Sequence, residues 1–444
     1  MKMANYRKYK KKNGQIAWQF QAYLGVDPVT EKRVKTTRRG FTTKKEAQRE
    51  LRKLLHNIDE NGLKSKKKIV TFQQLYTDWL AQYRLSVKPS TVALTIRWAS
   101  NQILPKFGKL RLDKITVNYC QKVVREWYQQ YRQYAFLKKE VQKILRYAVS
   151  QELIPSNPMQ KIIMPRPKEP QHRINYYSRE ELEDFLNWTK QYPTRSPGKL
   201  YTFFRLLGFT GMRKSEALAL QWRDIDFKNK TISIGKTIAQ DEFYKVVVQP
   251  PKTENSVRTI DLDGKTMNTL KQWLMSQRKV NTILGNISDG SEQYLFTNLK
   301  NELYYPQVVN EWLNQIYDMI DAEYAKRAKA ANTRLAKVTK LIDDKSLDTI
   351  AKRKLQTEAT DLQKQLKKYQ QKYHRLTPHG FRHTQASLLF EAARSQNIAG
   401  ESILKDVMYR LGHKDIKTTM NIYTHVTQDS TAATGQMFAT YMNF

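Results

Sequence analysis

The sequence TGMRKSEAL at residues 210–218 and the sequence HGFRHTQAS at residues 379–387 decide the interpretation of this chain. Each stretch places one arginine, Arg213 or Arg382, near the start of a segment with helical spacing. A guanidinium group presents paired N–H donors in one plane, a geometry that matches two oxygens of a phosphate. Two such arginines can clamp a phosphate without a metal ion, provided that the fold brings the two helix starts together.

Three further stretches complete the pattern: PKTENSVRTI at 251–260, LGH at 411–413 and YTHV at 423–426. Singly each is weak, because an arginine at a helix start or a tyrosine near a C-terminus is usually structural. In this order, and with ten residues from His413 to Tyr423, the five stretches closely resemble the tyrosine recombinase (phage integrase) family. The resemblance extends over most of the chain, with lower specificity in its first part.

The resemblance implies an active site of six residues: Arg213, Lys252, His379, Arg382, His413 and Tyr423. In such a site Tyr423 is the nucleophile, and it must lose its phenolic proton, of ordinary pKa about 10, as it attacks phosphorus. The arginines stabilise the charge that develops on the phosphate oxygens, and the histidines donate hydrogen bonds and move protons. By resemblance, Lys252 is the general acid at the tip of a β-hairpin and protonates the leaving 5′ oxygen.

Three residues close in sequence to the expected active-site residues can have either a functional or a structural role. His383 and His425 flank the expected active-site residues and could substitute for one of them, and we interpret His383 as a helix-packing residue. Glu216 follows Arg213 by three residues, so the two share one helical face. It either orients Arg213 or packs beneath it, or it is an ordinary solvated helix charge.

No cofactor or metal ion is expected. A 3′-phosphotyrosine intermediate with a free 5′ hydroxyl, which the resemblance implies, preserves the phosphodiester energy and needs no ATP. The Gly235-Lys236-Thr237 sequence resembles the end of a P-loop, but Lys230 stands where the earlier glycine is required. His379 and His383 have the spacing of a zinc pair, yet the metalloprotease glutamate and a cysteine cluster are both missing.

The charge of the chain indicates a polyanionic partner, and nucleic acid is the usual one. The 444 residues contain 78 Lys and Arg against 41 Asp and Glu, a formal net charge of +37.

Cys120 is the single cysteine, which excludes an intramolecular disulfide and fits a reducing compartment. No signal peptide and no window of 18 apolar residues occurs, so we expect no membrane partner and a cytoplasmic, nucleoid-associated bacterial protein.

The first domain is expected at residues 1–65, as a three-stranded sheet with one helix. The first 68 residues hold 20 Lys and Arg against 6 Asp and Glu. Apolar residues alternate from Ile16 to Ala22 after a turn at Asn13-Gly14, which indicates a strand, and Thr43 with Glu46 starts a helix with a capping box. By resemblance this is the arm-site DNA-binding domain. The alternative is a basic cap with no function.

A helical core-binding domain is expected at residues 70–165 and the catalytic domain at residues 175–444. Helical spacing starts at Thr71, breaks at Lys88-Pro89-Ser90 and resumes at Thr116, with a last helix near 135–151, so four short helices form a bundle. The catalytic domain is expected to be a mixed helical fold with a β-hairpin patch near 231–262. The fold class is therefore mainly α with small β-sheets (α+β).

A helical hairpin is expected at about 320–375, as an insertion in the catalytic domain. Apolar residues there are spaced alternately four and three residues apart, before and after a turn at 343–346. The first series is Tyr324, Ala328, Ala331, Leu335, Val338 and Ile342, and the second is Leu355, Ala359, Leu362, Leu366, Tyr369 and Tyr373. This spacing predicts an antiparallel coiled coil, with a single long solvated helix as the alternative.

The resemblance implies a site-specific DNA recombinase that integrates and excises a mobile genetic element, either a phage or a conjugative transposon. Its expected partners are double-stranded DNA with core and arm attachment sites, three further copies of the chain in a DNA-assembled homotetramer, and a host bending factor or an excisionase. Two alternatives remain. One is a type IB topoisomerase or a resolvase with the same chemistry, and the other is a DNA-binding regulator on a recombinase scaffold.

Overall fold

The computed structural model describes residues 4–11, 14–26, 32–61, 70–167, 174–251, 253–287, 290–343, 349–396, 400–412 and 420. The described residues form two compact units, one within Met1–Val87 and Thr95–Lys168 and the other within Lys88–Leu94 and Glu169–Phe444. None of the helices in these residues combines the length and the apolar character that a bilayer crossing requires.

The N-terminal residues form a three-stranded antiparallel sheet backed by one helix. Its elements are β1 (Ala4–Lys10), β2 (Ile16–Val26), β3 (Arg33–Phe41) and α1 (Lys44–Asn61). Strand β2 is central and pairs with both neighbours. Because side chains alternate along a strand, Phe20 and Ala22 share one face, and they pack on Ala47 and Leu51 of α1. The predicted sheet with one helix is confirmed.

The next part of the chain is a helical bundle. Its helices are α2 (Phe72–Ser86), α3 (Pro89–Trp98), α4 (Leu104–Phe107), α5 (Val117–Gln130) and α6 (Tyr134–Ser150). A π-helical turn at Ala99–Ile103 joins α3 to α4, so the second of the four expected helices is interrupted. Helix α2 begins with a capping box, in which the Thr71 hydroxyl accepts from the backbone N–H of Gln74.

The remaining residues fold into helices around small antiparallel sheets. The helices are α7 (Arg179–Gln191), α8 (Lys199–Thr210), α9 (Lys214–Ala217), α10 (Gly264–Ile283), α11 (Val308–Ile342), α12 (Thr349–Gln370), α13 (Gly380–Ser395) and α14 (Gly400–Leu411). The strands are β4 (Ile225–Asp226), β5 (Thr231–Ile234), β6 (Thr237–Gln240), β7 (Val246–Gln249) and β8 (Arg258–Asp261). One sheet has the order β4-β5-β8, and β6 pairs with β7 in a separate hairpin. The fold class, mainly α with small sheets, is confirmed.

Short 3₁₀ turns complete the described chain. They lie at Leu112–Lys114, Pro158–Gln160, Trp222–Asp224, Glu254–Ser256 and Gly290–Glu292.

An aromatic core holds three helices of the second unit together. Phe381, in the first turn of α13, has its ring 5.2 Å from that of Phe185 on α7 and 5.3 Å from that of Phe204 on α8. Tyr177 meets Phe381 edge-on at 6.0 Å. Aromatic pairs at these distances add to the stability gained from burial. The start of α13 is thereby fixed against α7 and α8.

The first helix of the expected hairpin is longer than the heptad spacing indicated. Helix α11 begins at Val308, and its first half is core, with Val309, Ile316 and Ile320 fully buried. Its second half lies antiparallel to α12, since Tyr324 stacks edge-on with Tyr369 and Arg334 pairs with Glu358. The boundary of the insertion near 320 stays a prediction, because the apolar face of the hairpin continues without a break into the core face of the same helix. A coiled-coil supercoil stays a prediction.

Candidate active site

Arg213 projects from a sharp turn between α8 and α9. Gly211 ends α8 with φ +65°, a conformation that side chains with a Cβ rarely adopt. A Cβ on Gly211 would also collide with side chains of Leu411 and Gln385. Glycine therefore allows α13 and α14 to approach this turn. Arg213 follows as the N-cap residue of α9.

A buried carboxylate joins Arg213 to a second arginine. Glu216 is 2% exposed, and its Oε1 accepts from Arg213 Nη1 at 2.7 Å, while its Oε2 accepts from the Arg213 backbone N–H at 2.9 Å. Arg258 Nη2 donates to the same Oε2 at 3.1 Å. The side chain of Arg258 is 0% exposed, whereas that of Arg213 is 41% exposed. Burial raises the pKa of Glu216, but the two arginines and the backbone hydrogen bond outweigh it, so that the pKa is lowered overall.

Arg382 lies behind this network. It is 1% exposed, and its Nη1 donates to the backbone carbonyl oxygen of Gly211 at 3.0 Å, two residues before Arg213. Burial and the positive charges of Arg213 and Arg258 lower the pKa of Arg382 to about 9. Mutual repulsion among clustered cations is relieved when an anion binds between them. The cluster is therefore suited to hold an anion.

His379 and His383 lie on the same side of α13. Their rings are perpendicular, with centroids 4.8 Å apart. Desolvation of the ring, followed by the charges of His383, Arg382 and Arg213, lowers the pKa of His379 to about 4. Burial and Arg382 also lower the pKa of His383. Both imidazoles are therefore neutral near pH 7, when each can still donate one hydrogen bond and accept another.

The end of α14 approaches the connection between β7 and β8. Arg258 Nε donates to the carbonyl oxygen of Arg410 at 2.7 Å, and Arg258 Nη1 donates to that of Ser256 at 2.9 Å. Gly412 has φ +66°, and a Cβ there would lie 2.7 Å from the carbonyl oxygen of Asn255. A backbone contact this close requires glycine. Arg258 thus joins the Arg213 turn, the β7–β8 connection and the LGH stretch.

The structure brings together Arg213, His379 and Arg382 of the six residues expected in the active site. Lys252, His413 and Tyr423 lie outside the described residues, as does the neighbouring His425. In the sequence, Lys252 falls between β7 and β8, whereas the β6–β7 hairpin turns at 241–245. Among the described residues, no three His, Cys, Asp or Glu side chains are placed to hold a metal ion.

Arg258 is a site residue that the motifs did not predict, although it belongs to the PKTENSVRTI stretch. The alternation of the strand indicates its burial, because Arg258 and Ile260 are two residues apart and lie on the same face of β8. Ile260 is an apolar core residue. A charged residue in register with core residues has to be paired when it is buried. For Glu216, the structure favours orientation of Arg213 over a solvated helix charge.

Three family descriptions match successive parts of the chain. "Phage integrase family" matches residues 175–430, "Phage integrase, N-terminal SAM-like domain" matches residues 71–128, and "Arm DNA-binding domain" matches residues 6–58. The chain is 27% identical to a tyrosine recombinase XerC-like protein of Caldanaerobacter subterraneus subsp. tengcongensis, over 94% of each chain. It is 26% identical to the ICEBs1 integrase of Bacillus subtilis, over 94% of this chain and 95% of that one.

The fold is similar to that of a solved transposon integrase. The structure of a fragment of the Tn1549 transposon integrase, in complex with a circular intermediate DNA, superposes with a TM-score of 0.57 at 19% identity. The match covers 84% of this chain and 100% of that one. The family match at residues 175–430 alone spans more than half of the chain. The chain therefore belongs to the phage integrase family and is a tyrosine recombinase, an enzyme of site-specific recombination.

Proposed function

We propose that this recombinase integrates and excises a mobile genetic element through a covalent 3′-phosphotyrosine at Tyr423. The observation that carries the proposal is the cluster of Arg213, Arg258 and Arg382 around a single buried carboxylate, Glu216, with His379 close to Arg213 and Arg382. The three positive charges of these arginines exceed the single negative charge of Glu216. The negative charge of a phosphodiester can neutralise this excess. Relatives named as integrases of ICEBs1 and of Staphylococcus phage L54a support a mobile element as the substrate.

The chemistry is a transesterification at phosphorus. The Oη atom of Tyr423 loses its proton to a neighbouring base and forms a bond to phosphorus, while the bond from phosphorus to the 5′ oxygen breaks. Lys252 gives a proton to that leaving oxygen. Arg213 and Arg382 hold the nonbridging oxygens, whose charge grows in the transition state. His379 and His413 donate hydrogen bonds to the same phosphate, and the neutral state of His379 near pH 7 allows it to exchange a proton.

The two domains before the catalytic domain supply DNA affinity. We assign residues 1–65 to arm sites and residues 70–165 to the core site. The outer face of the N-terminal sheet supports the first assignment, because Arg7, Gln19 and Arg39 lie side by side across its three strands. A sheet face with such polar side chains is suited to enter a DNA groove.

Assembly and location complete the proposal. The full reaction needs four active sites on two DNA duplexes, so we propose a homotetramer that assembles on DNA, with a host bending factor or an excisionase controlling its direction. We place the reaction at the bacterial nucleoid in the cytoplasm, where that DNA is. The insertion of a hairpin at about 320–375 into a catalytic domain at 175–444 belongs to the same proposal.

The test is covalent capture on a nicked, site-bearing duplex. A nick beside the cleavage site lets the short fragment that carries the free 5′ hydroxyl diffuse away, so the strand cannot be rejoined. The wild-type protein therefore accumulates as a DNA adduct that resists denaturant. Tyr423→Phe removes one hydroxyl and little volume, so DNA binding should persist while the adduct disappears.

The other candidate functions give different results. A regulator shifts DNA in a native gel and forms no adduct even as the wild-type protein. A type IB topoisomerase relaxes supercoiled DNA that lacks the site. An adduct formed by Tyr423→Phe would assign the nucleophile to another residue.

A further inference from the structure

The distal parts of α11 and α12, residues 324–342 and 349–370, form a surface that we call the basic hairpin. These 41 residues contain twelve Lys and Arg and only two Asp and Glu. The whole chain contains 78 Lys and Arg and 41 Asp and Glu. Both acidic residues, Glu358 and Asp361, belong to α12, and residues 324–342 contain none. The charge excess of the basic hairpin is therefore far above that of the chain as a whole.

The basic hairpin is held at its base. Tyr324 is buried, and its ring lies 6.2 Å from that of Trp188 on α7 and 5.9 Å from that of Tyr373. The guanidinium of Arg327 lies 5.2 Å from the ring of Trp188. Helix α12, in contrast, has no buried side chain among its described residues. The second helix of the hairpin therefore adds surface rather than core.

Four lysines form a stripe along the outer side of α11. They are Lys326, Lys329, Lys337 and Lys340, and all four are exposed. At 3.6 residues per turn, they fall within about a quarter of the helix circumference, opposite the buried Tyr324, Ala331 and Val338. A rise of 1.5 Å per residue gives the stripe a length of about 21 Å. One DNA strand presents a phosphate about every 3.4 Å of helix axis, so about six phosphates match this length.

Solvation alone does not account for this pattern. Exposed helices usually alternate Glu with Lys, because opposite charges three or four residues apart stabilise the helix. Here Lys326 and Lys329 are three residues apart, as are Lys337 and Lys340, and such like-charge pairs destabilise a helix. A bound polyanion removes that repulsion.

We propose that the lysine stripe of α11 is an additional DNA-binding surface, which holds the phosphate backbone of duplex DNA beside the site of strand exchange. The inference rests on the proposed function, since the DNA held in the active site is the polyanion that also reaches the hairpin. Lysines make point-charge contacts with phosphates, so the surface contributes affinity and no sequence specificity. It adds to the contacts of the two N-terminal domains.

The first test is the salt dependence of DNA binding by the full-length protein. Changing the four stripe lysines to Gln keeps helix propensity and removes four charges. Each lost phosphate contact lowers the slope of log K against log salt by about 0.9, so a slope smaller by about 3.6 is expected. The matched control changes four exposed cations on the opposite side of the same hairpin: Arg353, Lys364, Lys367 and Lys368.

The second test is local cleavage of the bound DNA. Thr333 lies in the middle of the stripe, and Thr360 lies on the outer side of α12. Both are exposed, and both hydroxyls donate to the carbonyl oxygen four residues earlier. Cys120 is buried, so an iron chelate attaches selectively to Thr333→Cys or Thr360→Cys. Strand scission from position 333, and little from 360, is the expected result.

The outcomes separate the hairpin from the active site. Equal slopes for the stripe variant and the wild type, or equal changes in the stripe and control variants, would overturn the proposal. Unchanged DNA binding with lost recombination would assign the stripe to an acidic protein partner instead. Adduct formation on nicked DNA is measured on the same preparations, so a failure of the proposed chemistry is recognised independently of the hairpin.

Discussion

Arg258 is the residue through which the parts of the active site are joined. Its buried guanidinium bonds to Glu216, to the Ser256 carbonyl and to the Arg410 carbonyl. We expect Arg258→Met to slow single-turnover adduct formation by at least tenfold while DNA affinity changes little, because Glu216 then holds Arg213 less firmly. The same change should cost about 3–5 kcal/mol of stability, since one member of a buried ion pair is removed.

Arg258→Lys is the control for this prediction. Lysine restores the charge but cannot make three hydrogen bonds in the guanidinium plane, so stability should recover more than the cleavage rate does. Rates are compared on protein shown by its denaturation curve to be folded. A rate that recovers fully with stability would mean that Arg258 only supports the fold.

The lowered pKa of His379 determines how this residue makes the stability of the fold depend on pH. Its pKa in the folded protein is about 4, below the value of about 6.5 for an unfolded chain. Between these values the unfolded state binds more protons, so the free energy of unfolding should fall as the pH is lowered from 6.5 towards 4. Urea denaturation at pH 7.0, 5.5 and 4.5 measures the slope. His379→Asn cannot titrate and should flatten it, and an unchanged slope would contradict the assigned pKa.

At the scale of elements, local patterns predicted most helices and strands, because their signals are short-range. Helix α1 starts where the pair Thr43 and Glu46 predicted it, and the Thr43 hydroxyl accepts from the backbone N–H of Glu46. The signals that failed depend on tertiary contacts. Nothing local distinguishes the core half of α11 from its hairpin half, and nothing local shows that Arg258 meets Glu216, 42 residues away. The five motifs predicted a site of which the structure brings Arg213, His379 and Arg382 together, whereas the positioning residue Arg258 required the fold.

The structure sets how much of the hairpin can be removed. A cut from Ala322 to His374 would delete Tyr324, which is buried, and Tyr373, whose hydroxyl donates to Asp184. A cut from Ala328 to Leu366, bridged by a short Gly-Ser loop, spares both tyrosines. We expect the shorter deletion to fold and to form the DNA adduct, while complete recombination is impaired. Thermal denaturation and the adduct assay test this, and loss of folding would show that the distal hairpin is core structure.

At the scale of the whole molecule, many Lys and Arg residues belong to parts of the chain that contain no expected active-site residue. The first 68 residues hold a quarter of the chain's 78 Lys and Arg, and none of the six expected active-site residues. The basic hairpin holds another twelve. Charge outside the active site contributes to DNA affinity and to the rate of encounter. The active site then needs only enough charge to stabilise one phosphate.

Removing the N-terminal domain tests this division. A chain that starts near Lys68 retains the helical bundle and the catalytic domain, so it should still form the adduct on an isolated core site. Its affinity for DNA that carries arm sites should fall, and should depend less steeply on salt than that of the full-length protein, because fewer counterions are released. Filter binding from 50 to 200 mM salt measures both slopes. Equal slopes would show that the basic residues before Lys68 do not contact DNA, and a folded truncation that formed no adduct on core DNA would show that the N-terminal domain takes part in catalysis.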